Sequence, residues 1–127
     1  MYINHTYNNI HTEINIKTGI SLLSSESGSG KTLLLNLITD YCNKNHIQYC
    51  IINYTNIDQL PELFSNTYEI VLLDNADRYI TDEVLEKLRE ISKYAIIVLK
   101  DDSKVDTRDT SQYLVHYNNL EITLEEI

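Results

Sequence analysis

The spacing of apolar residues along the chain predicts strands that alternate with helices. Four compact apolar runs predict strands, which lie at residues 20–24, 47–54, 68–73 and 95–99. Apolar positions recur at helical spacing over residues 81–93, with acidic residues in the first turn and a lysine in the last. Residues 31–41 are apolar on almost every side, which predicts a helix buried against a sheet, and residues 58–64 predict a short helix.

Both ends of the chain add strand patterns to this core. Residues 2–16 are mixed and rich in asparagine, and they predict one short strand. Near the other end, strand-like residues 113–117 and 120–124 flank Asn118-Asn119, which is a hairpin turn signal. The alternation of strands and helices predicts an α/β fold with a mostly parallel sheet and a C-terminal β-hairpin.

A loop of small and polar residues joins the first apolar run to the helix that follows it. Its sequence, Ser25-Glu26-Ser27-Gly28-Ser29-Gly30-Lys31-Thr32, follows the phosphate-loop pattern G-x-x-x-x-G-K-[ST], with a serine in place of the first glycine. In such a loop, backbone N–H groups surround phosphate oxygens and the next helix adds its positive end. Lys31 is predicted to neutralise the β- and γ-phosphates of a bound nucleotide, and the Thr32 hydroxyl to bind Mg²⁺. The residues predicted to bind the nucleotide are Glu26, Ser27, Gly28, Ser29, Gly30, Lys31, Thr32 and Leu33.

This region resembles the P-loop NTPases, and residues 20–38 are particularly similar to their ATP-binding ABC-type and AAA-type branches. The resemblance implies that Asp74, which directly follows the strand 68–73, is a Walker B aspartate that holds Mg²⁺ opposite Thr32. It also implies a sheet order of 5-1-4-3-2, with residues 95–99 as strand 4. The predicted fold class is therefore a P-loop NTPase-like, mostly parallel sheet flanked by helices.

The residues that follow Asp74 decide what catalysis we expect. The P-loop NTPases that have this order of strands usually place a glutamate directly after the Walker B aspartate, where it activates the attacking water. This chain has Asn75 at that position. An amide can orient water but accepts a proton poorly, so hydrolysis is predicted to be slow. Asp77 is a candidate replacement base, and capping of the next turn is the alternative role for it. The candidate catalytic residues are Lys31, Asn75 and Asp77.

Charge and composition narrow the range of partners. The 10 Lys and Arg residues face 19 Asp and Glu residues, and the resulting net charge of −9 disfavours strong nucleic-acid binding. No apolar run approaches the ~20 residues that cross a bilayer, and no secretory signal is visible. Two cysteines are too few for a disulfide-stapled secreted scaffold. We therefore expect a single cytoplasmic domain over residues 1–127, without a membrane partner.

Several motifs of other nucleotide enzymes are missing from the sequence. The ABC-type signature and the guanine motif Asn-Lys-x-Asp are absent, and the arginines are too scattered for the arginine-rich lid of nucleotide kinases. We therefore expect a slow ATPase that acts as a nucleotide-dependent switch, with a protein partner or as a homo-oligomer. Two alternatives stay open: a non-enzymatic interaction or inhibitory module in which ATP is structural or regulatory, and a phosphotransferase completed by a second subunit.

Overall fold

Eight strands and three α-helices form the part of the chain that the computed structural model describes, which is residues 1–24, 30–53 and 55–127. The strands are β1 (Tyr2–Tyr7), β2 (Ile10–Asn15), β3 (Gly19–Ser24), β4 (Tyr49–Ile52), β5 (Tyr68–Leu73), β6 (Ser92–Val98), β7 (Thr110–Asn118) and β8 (Glu121–Glu126). The helices are α1 (Lys31–Lys44), α2 (Leu60–Leu63) and α3 (Asp82–Ile91), and short 3₁₀ turns lie at Ile57–Gln59 and Ala76–Arg78. None of the described helices combines the length and the apolar character that crossing a lipid bilayer requires.

All eight strands belong to one curled, mixed sheet with the order β1-β2-β8-β7-β3-β6-β5-β4. The neighbours β7, β3, β6, β5 and β4 pair in parallel, as do β2 and β8, whereas β1–β2 and β7–β8 are antiparallel hairpins. The predicted fold class, a P-loop NTPase-like and mostly parallel sheet of order 5-1-4-3-2 flanked by helices with one C-terminal hairpin, is wrong for the sheet as a whole. A second hairpin at the N-terminus joins the sheet through β8, and the two antiparallel hairpins together make the sheet mixed.

The N-terminal hairpin explains why the prediction of a single strand at residues 2–16 is wrong. Asn8 and Asn9 form its turn with φ angles of 51° and 65°, a backbone region that asparagine enters more readily than most residues. Ile3 and Ile14 lie opposite each other in the two strands, and both are buried. The buried Thr12 hydroxyl donates to the carbonyl oxygen of Ile122 at 2.7 Å, which ties β2 to β8.

Two apolar clusters lie on opposite faces of the sheet, because successive strand residues point to opposite sides. In β5, Ile70 and Leu72 belong to the cluster that contains the buried residues of α1. Val71 and Leu73 belong to the cluster that contains the buried residues of α3. Burial on both faces accounts for the continuous apolar run of this strand.

Local sequence signals set the ends of several elements. The Thr81 side chain caps α3 by accepting a hydrogen bond from the backbone N–H of Val84 at 3.1 Å. The C-terminal hairpin turns one residue later than predicted, since Asn119 and Leu120 have φ angles of 53° and 61°. Leu120 is therefore an exposed turn residue rather than the first residue of β8.

Candidate functional site

The carboxyl ends of three adjacent parallel strands lie at one edge of the sheet. β6 pairs with β3 on one side and with β5 on the other, so that Val98 is opposite Leu23 and Ile97 is opposite Leu73. The carboxyl ends of β3, β5 and β6 therefore lie side by side. Open parallel sheets bind ligands at this edge, and the predicted site residues are attached to it.

The last residue of the predicted phosphate loop before α1 has a conformation suited to glycine. Gly30 has a φ of 89° and is buried. A Cβ atom at this position would lie 2.9 Å from the Cβ of Tyr117 on β7, so the close approach also requires glycine. The remaining loop residues with a predicted role, Glu26, Ser27, Gly28 and Ser29, lie outside the described residues.

The first turn of α1 points its amino end toward this edge. Gly30 provides no side-chain cap, and the first turn contains no acidic residue, so its N–H groups keep their affinity for anions. Lys31 is half-buried and Thr32 is exposed. Leu33 is 38% exposed, unlike the buried leucines that follow it. The turn thus combines backbone donors, an ammonium group and a hydroxyl.

Asp74 brings a carboxylate to the same place. It directly follows β5 and is only 8% exposed. Its Oδ2 accepts a hydrogen bond from Thr32 Oγ1 at 3.4 Å, and its Oδ1 accepts one from the backbone N–H of Asn75 at 3.0 Å. The structure therefore brings together the two residues that were predicted to hold the metal.

This pair of oxygens fits a magnesium ion that shares its coordination with phosphates. Mg²⁺ prefers oxygen ligands and is often held by one or two protein oxygens, with phosphates and water completing the octahedron. Adjacent ligands of such an ion are ~3 Å apart, close to the 3.4 Å between Thr32 Oγ1 and Asp74 Oδ2. Groups of three or more His, Cys, Asp or Glu side chains arranged to hold a metal do not occur within the described residues. A metal at Thr32 and Asp74 would complete its coordination with oxygens of phosphate and water.

A half-buried tyrosine holds the turn that follows Asp74. The Tyr79 hydroxyl donates to the carbonyl oxygen of Asp74 at 2.9 Å. Burial first, and then the nearby charges of Asp74 and Asp77, raise the pKa of Tyr79 well above its usual value, so the hydroxyl remains a donor at neutral pH. Asn75, the candidate catalytic amide, is exposed and has a φ of 51°.

Asp77, the candidate base, is engaged with the loop that follows β6. Its Oδ1 accepts hydrogen bonds from the backbone N–H groups of Lys100 at 2.9 Å and Asp101 at 3.0 Å, and its Oδ2 lies 3.1 Å from the same Lys100 nitrogen. These bonds direct the carboxylate toward that loop. Of the three candidate catalytic residues, Lys31 and Asn75 adjoin the Thr32–Asp74 pair in sequence, whereas Asp77 joins two neighbouring loops.

Two tyrosines contribute to the site without having been predicted from the sequence. Tyr117 packs against Gly30, and Tyr79 holds the backbone of Asp74. The 10 tyrosines are spread through strands and loops, and neither of these two belongs to a motif of fixed spacing. Only the folded arrangement distinguishes them from tyrosines that pack in the core.

Comparisons with known proteins identify a likeness of fold. No protein-family model matches the chain, and no curated protein matches it. Among solved structures, it is similar to the crystal structure of a DNA replication initiation factor, with a TM-score of 0.51 and 14% sequence identity. The match covers 72% of this chain and 36% of the other, so the chain spans about a third of that protein's length. At this identity the likeness concerns the fold alone.

Proposed function

We propose that this chain binds MgATP at the edge where β3, β5 and β6 end. The observation that carries this proposal is the contact between Thr32 Oγ1 and Asp74 Oδ2 at 3.4 Å, which joins the first turn of α1 to the end of β5. The N–H groups of that turn and the Lys31 ammonium would hold the phosphates. Thr32 and Asp74 would share the magnesium ion with phosphate oxygens.

The activity that we favour is slow ATP hydrolysis. Asn75 offers an exposed amide next to the Thr32–Asp74 pair, and an amide orients water but accepts a proton poorly. Asp77 is the nearest further carboxylate along the chain, and it accepts hydrogen bonds from the backbone of Lys100 and Asp101. Both features weaken general-base catalysis, so we expect turnover far below that of enzymes with a dedicated base.

The same contacts support a nucleotide-dependent switch. Asp74 contacts Thr32, and three residues later Asp77 holds the loop that follows β6. A nucleotide that moves Asp74 would therefore also shift this loop, which a protein partner or a second copy of the chain could recognise. The second candidate is a non-enzymatic module in which ATP is structural or regulatory, and the amide of Asn75 in the place of a base favours it.

Thermal unfolding with MgATP, MgADP and MgGTP tests nucleotide binding. A ligand at about 100 to 1,000 times its Kd should raise the free energy of unfolding by about 2.7–4.1 kcal/mol, with the adenine nucleotides most effective. Lys31→Ala should abolish this stabilisation. Lys87→Ala is the matched control, because Lys87 lies on α3 and pairs with Glu83 at 3.5 Å. Equal stabilisation of the native chain and Lys31→Ala would contradict the proposal.

A magnesium titration tests the metal ligands. Thr32→Val should increase the magnesium concentration needed for ATP binding, because it removes one oxygen ligand and keeps the side-chain shape. Thr39→Val is the control on the same helix, since the Thr39 hydroxyl donates to the carbonyl of Leu35 at 2.8 Å and lies away from Asp74. An unchanged magnesium requirement in Thr32→Val would exclude this residue as a ligand.

Phosphate release separates the two candidate functions. A slow release that disappears in Lys31→Ala supports the ATPase. Binding of MgATP without release in the native chain supports the non-enzymatic module.

A further inference from the structure

Most of the basic side chains of this acidic protein form ion pairs, and a few do not. Six of the 10 Lys and Arg residues form ion pairs with described carboxylates, and these are Lys17, Lys44, Lys87, Arg89, Lys93 and Arg108. Lys31 begins α1 at the proposed nucleotide site. The other three, Arg78, Lys100 and Lys104, have no ion-pair partner within the described residues.

These three cationic residues line a single groove. The groove has a volume of about 740 Å³, and its other lining residues are Asn75, Asp77 and Asp101. It adjoins the proposed magnesium site, because Asn75 directly follows Asp74 and donates its backbone N–H to that carboxylate at 3.0 Å. Three cations that form no ion pair with any described residue therefore share a surface beside the position where we propose the phosphates of ATP.

The two carboxylates in the lining are occupied by backbone donors. Asp77 accepts hydrogen bonds from the N–H groups of Lys100 and Asp101. Asp101 accepts one from the N–H of Ser103 at 2.9 Å. Both carboxylates therefore shape the loop after β6. Arg78, Lys100 and Lys104 form no ion pair among the residues that the structure describes. The Ser103 hydrogen bonds and, to a smaller extent, the nearby charge of Lys104 hold the pKa of Asp101 below its ordinary value.

We propose that this groove binds a phosphate-bearing small molecule next to the nucleotide, with Arg78, Lys100 and Lys104 as its anion-binding side chains. This inference rests on the proposed nucleotide function, because it assigns a second ligand to the surface beside the nucleotide site. A guanidinium and two ammonium groups supply charge-assisted hydrogen bonds that phosphate oxygens accept.

Size and charge favour a small ligand over a polymer. The volume of about 740 Å³ lies in the range typical of small-molecule sites. The net charge of −9 repels a long polyanion that extends beyond the groove. A compact phosphate ester is small enough to contact the three cations, and the backbone N–H groups that donate to Asp77 and Asp101 offset part of the charge of these two lining carboxylates.

Residue-resolved NMR with inorganic pyrophosphate tests the proposal in the full chain. MgATP should shift the amide signals of residues 30–33. Pyrophosphate added after MgATP has saturated that response should produce a further shift at residues 75–78 and 100–104. In the double variant Lys100→Ala/Lys104→Ala, pyrophosphate binding at the groove should weaken by at least about tenfold, because two charge-assisted contacts are lost. The response of residues 30–33 to MgATP should remain.

Matched variants separate this inference from the nucleotide proposal. Lys31→Ala should abolish the response of residues 30–33 to MgATP and keep the response of the groove to pyrophosphate. The two proposals can therefore be rejected independently. Lys87→Ala/Lys93→Ala removes the same charge from ion-paired lysines and should leave the groove response intact. The inference is overturned if the groove amides do not respond in the native chain, or if both double variants weaken binding equally. It is also overturned if a single-stranded oligonucleotide displaces pyrophosphate from the groove at lower concentration than phosphorylated sugars do.

Discussion

The two ends of the sheet differ in the extent to which their polar side chains have partners on neighbouring strands. In the hairpin region, which we define as β1, β2 and β8, polar groups find partners on the next strand. His11 contacts Glu121 at 2.8 Å and Asn4 at 2.7 Å, and Lys17, in the connection that follows β2, pairs with Glu126 of β8 at 2.5 Å. In the parallel region, which we define as β3, β4, β5, β6 and β7, Lys93 pairs with Glu69 and Arg108 with Asp106. Arg78, Lys100 and Lys104, which follow the carboxyl ends of β5 and β6, form no ion pair among the described residues.

This difference separates a stabilising region from a binding region. Side chains that already pair with one another have few free donors, acceptors or charges for a ligand. Replacing them is therefore expected to lower the stability of the fold rather than ligand affinity. Arg78, Lys100 and Lys104 have no ion-pair partner within the described parts of the chain, so their loss is expected to affect binding more than folding. The following predictions test this separation, beginning with the largest effect.

The largest expected effect is on the core of the hairpin region. Ile14→Ala should lower the free energy of unfolding by about 2–5 kcal/mol, because Ile14 is 4% exposed and its removal leaves a cavity under α1. Urea denaturation measures this change. The MgATP affinity of the folded variant should stay the same, and a large loss of affinity would show that the two regions are not separate.

A glycine pair provides the next test. Gly30 and Gly19 both have a φ of 89°, so replacement by alanine should cost each about 1–2 kcal/mol of stability. Only Gly30→Ala also brings a Cβ within 2.9 Å of Tyr117, whereas nothing lies within 4 Å at Gly19. Gly30→Ala should therefore lose more stability and also MgATP affinity. Similar results for both variants, measured by denaturation and calorimetry, would argue against a special role for the contact with Tyr117.

Asp77→Asn distinguishes a loop contact from a catalytic base. The free energy of unfolding of the variant should fall by about 1 kcal/mol. A neutral amide oxygen accepts weaker hydrogen bonds from the N–H groups of Lys100 and Asp101 than a carboxylate does. Any phosphate release should persist at a similar rate. A collapse of release with unchanged stability would instead assign Asp77 to catalysis.

The smallest expected effect concerns the contact between the hairpin region and α1. The His5 ring lies 2.7 Å from the Asp40 carboxylate and Lys44 lies 3.1 Å from it, and together they hold the pKa of Asp40 below its ordinary value of 3.8. A lowered pKa in the folded state means that the stabilisation is full above the ordinary value and is lost as the pH falls through the folded value. The stability difference between the native chain and Asp40→Asn should therefore shrink from pH 7 to pH 3. The exposed Asp58→Asn serves as the control, and a constant difference for Asp40→Asn would contradict this account.

Elements with a strong local signal could be predicted from the sequence. The apolar spacing of residues 81–93 and the acidic residues of the first turn predict α3, which the structure has at Asp82–Ile91. Lys93, expected in its last turn, belongs to β6 instead. The apolar run at residues 68–73 coincides with β5. In both cases, the residues that determine the element are its own residues or direct neighbours.

The arrangement of the sheet could not be predicted in the same way. Asn8-Asn9 carries a turn signal like the one used at Asn118-Asn119, but the short mixed strands on either side have weak patterns. The pairing of β2 with β8 joins residues more than one hundred positions apart, such as Thr12 and Ile122, and local spacing contains no information about it. For the site, the motif indicated Thr32 and the resemblance indicated Asp74, whereas the engagement of Asp77 with a distant loop depends on strand order.

The packing of Tyr117 on Gly30 offers a way to observe the site optically. The chain contains no tryptophan, so Tyr117→Trp would introduce a single indole whose emission arises beside the first turn of α1. Stopped-flow fluorescence of that variant would then follow the arrival and departure of a ligand in real time, without a label.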